Sequence, residues 1–79
     1  MSGQGLEQLV KMVNQISANM HGATDEQAAD KVATHLQKFW ARPMKEQIIA
    51  YATDGGEDLT PISRQAVERL REVRAAVEG

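Results

Sequence analysis

Apolar side chains in this chain recur at steps of three and four, in runs divided by residues that stop or start helices. This spacing is the strongest constraint on the fold, because it places a stripe on one face of an α-helix and would scatter it over both faces of a strand. Leu6, Leu9, Val10, Val13, Ile16 and Met20 form the first stripe and predict a helix from about Gln4 to Met20, with Glu7, Gln8, Lys11, Asn14 and Ser17 on its other face. His21-Gly22 is a stop, since glycine tolerates the left-handed conformation that closes a last turn. Thr24 with Gln27 three residues later spells a capping box, and Asp25 and Glu26 suit the positive end of a helix dipole. The second stripe is Ala28, Ala29, Val32, Leu36 and then Phe39 or Trp40.

Pro43 interrupts this pattern because it has no N–H to give, restricts Arg42, and fits best in a first turn. A third helix is predicted from about Pro43 to Thr53, burying some of Met44, Ile48, Ile49 and Tyr51 and stopping at Asp54-Gly55-Gly56. Thr60-Pro61 repeats the start signal, and Ile62, Ala66, Val67, Leu70, Val73 and Val77 mark a fourth helix. Its outer face mixes charges: Arg64, Glu68, Arg69, Arg71, Glu72, Arg74 and Glu78. The expectation is an all-α fold, a small bundle of four short helices with short connections. Residues 1–79 are read as a single helical domain with frayed ends at about 1–4 and 77–79.

Size makes such a bundle marginal. Of the 42% of its 79 residues that are apolar, eleven residues are alanines, so large core side chains are few. A lone core below about 80 residues seldom supplies more than about 5 kcal/mol. The chain has no cysteine, which excludes disulfides and thiolate clusters as support. Very regular helix packing remains, or burial against another chain. The net charge of −2 gives no excess of basic groups to neutralise phosphates, so no nucleic acid is expected as a partner. No apolar run approaches the roughly 18 residues of a membrane span, and the first twenty residues do not read as a signal peptide. A cytoplasmic protein without a membrane partner is expected.

Reactive groupings are scarce. His21 and His35 lie on different predicted elements with no carboxylate or thiol at ligand spacing, so no metal site is expected. Ser2, Ser17 and Ser63 stand in no strand-turn-helix elbow. Asp54-Gly55-Gly56-Glu57-Asp58 is too short for a calcium loop, whose ligands spread over twelve residues. A helical domain of this size is also expected to offer little of the roughly 300 Å³ that a substrate pocket takes. No catalytic or cofactor-binding residue is therefore assigned, and the chain by itself is not read as an enzyme.

The most informative stretch is Phe39-Trp40-Ala41-Arg42-Pro43-Met44. Neighbouring side chains on a helix point about 100° apart, so both rings cannot lie deep in one stripe. Phe39 is assigned to the core, while Trp40 divides evenly between a core plug and an interface anchor. Trp, Arg and Met are enriched at interface centres, which makes Trp40, Arg42, Met44 and Tyr51 the candidate partner-binding residues.

Three segments carry a resemblance to a known family: Leu9-Val10-Lys11-Met12-Val13-Asn14-Gln15-Ile16, then His35-Leu36-Gln37-Lys38-Phe39-Trp40 with Met44 four residues on, and Gly55-Gly56 followed by Leu59-Thr60-Pro61 and Ala66-Val67-Glu68-Arg69-Leu70. In order and spacing they resemble the delta subunit of soluble, NAD-dependent, molybdenum- or tungsten-containing formate dehydrogenase, over about Leu6 to Arg71. One departure is local: the family often has an acidic residue and then Pro after the Phe-Trp pair, whereas here Ala41 and Arg42 precede Pro43. The resemblance implies a non-catalytic accessory subunit that supports assembly or stability of the complex through protein–protein contacts. It implies that molybdopterin, iron-sulfur clusters, flavin and NAD belong to partner subunits, with none in this chain. The implied partners are the large catalytic subunit and its companion subunits. The alternative from another class is a small helical regulatory or DNA-binding module of helix-turn-helix type, which binds DNA or a signalling partner through the second or the fourth helix, the latter carrying Arg64, Arg69, Arg71 and Arg74. Self-association of the isolated chain is a third expectation.

Overall fold

Four helices form where the stripes predict them: α1 (Ser2–Ala18), α2 (Asp25–Phe39), α3 (Arg42–Thr53) and α4 (Pro61–Glu78). The structure is a computed structural model that describes the backbone of residues 2–78 and the side chains of residues 5–76. Val77 of the expected fourth stripe lies outside the described side chains, and the ends expected to fray fall largely outside them too. Among the described residues there is no strand.

Local signals account for most of the helix ends. Thr24 caps α2 as a full capping box: its hydroxyl accepts from the Gln27 N–H at 3.1 Å, and its own N–H donates to Gln27 Oε1 at 3.2 Å. Thr60 does the same work for α4 in part, accepting from the Ser63 N–H at 3.4 Å ahead of Pro61. At the end of α3, Gly56 N–H donates to Tyr51 O and Gly55 N–H to Ala52 O, at 3.0 and 3.2 Å. This is the Schellman pattern, and both glycines take positive φ, 124° and 56°.

Two boundaries differ from expectation. The first helix ends at Ala18 rather than Met20 because its last turn tightens: Asn19 N–H is shared between Gln15 O and Ile16 O, and Met20 N–H donates to Ser17 O. Gly22, with φ 77°, then turns the chain toward α2. The third helix begins at Arg42, not Pro43; Ala41 is the extended residue before it, and Pro43 still sits in the first turn, where its missing N–H costs nothing.

The core draws on every helix: Leu9, Val10 and Val13 from α1, Val32, Leu36 and Trp40 from α2 and its cap, Ile48 from α3, and Ala66, Val67 and Leu70 from α4. The most extensive pairing is α2 with α4. Alanines make that pairing close. Ala28, Ala29 and Ala33 on α2 and Ala66 on α4 are all buried, and small side chains let helix axes approach to the short end of the usual 8–10 Å range. The radius of gyration of 11.6 Å is that of a chain of this length folded around one core, roughly 12 Å, rather than of splayed helices.

Phe39, Val73 and Ser17 depart from their expected places. Phe39, assigned to the core, is 71% exposed, while Trp40 is 6% exposed and inside. Phe39 closes α2 at the rim of the buried arc, and Trp40, the C-cap, stands four residues after Leu36 and seven after Ala33, in line with that arc. Val73 is exposed although it continues the α4 stripe, and lies beside Thr34, Gln37 and Lys38 of α2. Ser17, placed on the polar face of α1, is buried.

Candidate partner-binding surface

Ser17 shows how the polar groups inside are handled. Its hydroxyl lies 2.7 Å from that of Ser63, which is fully buried on α4 and donates to Val13 O at 3.3 Å; Thr60 donates to Ser63 at 2.9 Å. Each hydroxyl of this cluster has a partner, as burial demands. The cluster joins α1 to α4. It is structural, with no base within its hydrogen-bonded set.

The α3–α4 connection is tied down from three sides. Asn14 of α1 donates from Nδ2 to Asp58 O at 2.8 Å and accepts from Thr60 N–H at 3.1 Å. Tyr51 of α3 donates to Asp58 Oδ2 at 3.3 Å and accepts from Asp58 N–H at 3.1 Å. Arg64 of α4 donates to Gly55 O and Gly56 O, each at 2.7 Å, which places a cation at the negative end of α3. Asn14 had been read as a surface residue. Its reach across to the connection has no trace in the local pattern.

Between α1 and this connection lies an open groove of about 570 Å³, lined by Leu6, Glu7, Val10, Lys11, Asn14, Tyr51 and Asp58. That is more concave volume than a domain of this size was expected to offer. It is a trough over apolar side chains with a mixed rim of Glu7, Lys11 and Asp58. Among the described residues no group of three His, Cys, Asp or Glu could hold a metal ion. The chain has no cysteine to offer an iron-sulfur cluster as thiolate.

The four candidate partner-binding residues do not share one surface. Trp40 lies in the chain's own core. Met44 and Tyr51 are half-buried and packed against that core, seven residues apart on the inner face of α3. Arg42 is exposed on the outer face, where Nε donates to Glu46 Oε2 at 3.2 Å. Phe39 is the large apolar side chain that the corner presents to solvent, with the His35 ring beside it at a centroid distance of 4.9 Å.

The arginines of α4 are engaged within the chain. Arg69 pairs with Asp30 and also donates to Glu26 O; Arg71 pairs with Glu68. Arg74, expected on the outer face, has a side chain only 12% exposed and reaches Glu46 at 3.5 Å. Such pairing leaves α4 little uncompensated positive charge for a phosphate backbone.

Fold and surface thus define a small all-helical protein whose distinctive features are an open groove and an exposed aromatic corner. No helix among the described residues is long and apolar enough to cross a membrane. The chain belongs to the NADH-dependent formate dehydrogenase delta subunit family, FdsD, whose family model matches residues 8–67. No curated protein and no solved structure matches it. As a delta subunit, it has the other subunits of that dehydrogenase as its partners.

Proposed function

We propose that this chain is a non-catalytic subunit that supports the assembly or stability of an NADH-dependent formate dehydrogenase by binding its large catalytic subunit. The observation that carries the reading is the family match over residues 8–67. The residue chemistry agrees with it: a chain without cysteine offers no thiolate to a cluster, and the buried Ser17 and Ser63 hydroxyls bond to each other. Molybdopterin, iron-sulfur clusters, flavin and NAD are then held by the partner subunits, in the cytoplasm. A core this small gains stability when part of its surface is covered, which suits a piece that completes a larger assembly.

Deleting the gene in its host and purifying the remaining complex tests this directly. The expected result is a lower yield of assembled dehydrogenase, or faster loss of formate oxidation on warming, restored by supplying the chain in trans. An equal yield of equally durable, fully active complex without the chain overturns the proposal.

A further inference from the structure

The cations of this acidic chain are unevenly placed. Between Asp30 and Glu46 there is no carboxylate, and the interval holds Lys31, Lys38, Arg42 and Lys45. Lys31 and Lys38, at i and i+7 of α2, are exposed on one side of that helix, and the exposed Phe39 and half-buried His35 stand between them and the buried arc of Ala28, Ala29, Val32, Ala33 and Leu36. The start of α3 continues it: Lys45 Nζ donates to Gln37 O at 3.2 Å, which binds the first turn of α3 to the last turn of α2. Glu46 is met by both Arg42 and Arg74, so one carboxylate answers two guanidiniums. The corner is therefore net positive around an exposed aromatic ring. The opposite end of α3 carries Asp54, Glu57 and Asp58. Twelve helical residues separate the two ends by about 18 Å, beyond the screening length of roughly 8 Å at physiological salt.

An exposed phenylalanine at a corner with an excess of cations has an apolar recess on an acidic surface as its complement. We propose that the α2–α3 corner is the docking face, with Phe39 entering an apolar recess on an acidic patch of another formate dehydrogenase subunit and Lys38 and Arg42 facing carboxylates at its rim. This rests on the accessory-subunit reading and adds the face and the chemistry of the partner. The aromatic supplies the anchor; the cations supply steering and register.

Tagged full-length chain, added to dehydrogenase purified from a host lacking it, is captured and the co-captured complex is quantified across a salt series. Wild type binds, and binding weakens as salt rises. Phe39→Ala lowers the affinity at least tenfold, and Lys38→Glu also lowers it and flattens the salt dependence, while Glu57→Lys at the far end of α3 binds as wild type does. Thermal melts of each variant, unchanged within a few degrees, show that the loss is not unfolding. Wild-type binding that is insensitive to Phe39→Ala and Lys38→Glu overturns the assignment of this face and leaves the accessory reading standing. Failure of the wild-type chain to bind at all overturns the accessory reading itself. Salt-sensitive dimers of the isolated chain, lost in both Lys38→Glu and Glu57→Lys, would assign the corner to a second copy and overturn the proposal.

Discussion

Phe39 and Trp40 are neighbours in sequence with opposite fates, and about 100° of helical rotation separates them. Phe39 is the last helical residue; Trp40, four residues after Leu36 and seven after Ala33, falls in line with the buried arc, and its N–H still bonds Leu36 O at 3.0 Å. The two therefore answer differently to truncation. Trp40→Ala removes a fully packed aromatic, costing about 3–5 kcal/mol, which is comparable with the whole stability of so small a domain. That variant is expected to be largely unfolded by circular dichroism at 37 °C. Phe39→Ala is expected to melt within a few degrees of wild type, a change of about 0.5 kcal/mol. Equal melting of the two variants would contradict the burial described here. Composition and spacing named both rings as special, and the arc that the helix buries, in line with Leu36 and Ala33, puts Trp40 inside and Phe39 outside.

Helices α1 and α4 were legible from their stripes, and the connection before α4 was legible only as a stop and a start. What holds that connection is a residue 44 positions away: Asn14, whose amide bonds both Asp58 O and Thr60 N–H. Asn14→Ala leaves a backbone donor and acceptor without their partner and is expected to cost about 1–2 kcal/mol, lowering the melting temperature by roughly 5–10 °C. Differential scanning calorimetry measures this. The capping box at α2 makes a contrasting case, because it was readable from Thr24 and Gln27 alone. Thr24→Ala is expected to cost about 1 kcal/mol, through a cap whose partners are three residues apart. The difference between the two sites is sequence distance. Contacts within one helical turn are encoded in adjacent letters, whereas a bond from α1 to the far end of α3 depends on how helices cross.

The whole molecule has one core to which all four helices contribute, so no helix pair is independent of the others. Such a chain is expected to unfold in a single cooperative step. Its lone tryptophan reports on that core: emission from Trp40 should lie to the blue of free indole in the native state and shift red on unfolding. A urea titration followed by tryptophan emission and by helical circular dichroism should give coincident curves. Separated midpoints would show that α1 or α3 detaches before the α2–α4 pair. The same scale governs the charges. A net charge of −2 described the chain as mildly acidic, yet the fold collects the cations of α2 and α3 at one corner and the acids of the α3–α4 connection at the other end.

The sequence by itself determined the helical class, the four elements with their caps and stops, and the family, because each is written in spacings of three, four or a few residues. Tertiary structure alone decided why Ser17 and Ser63 are paired inside and how Asn14 and Arg64 clamp a distant connection. These depend on how far each helix runs past its neighbours and at what angle they meet. Interhelical geometry is fixed by close packing of the whole core, so no local stretch of residues carries it.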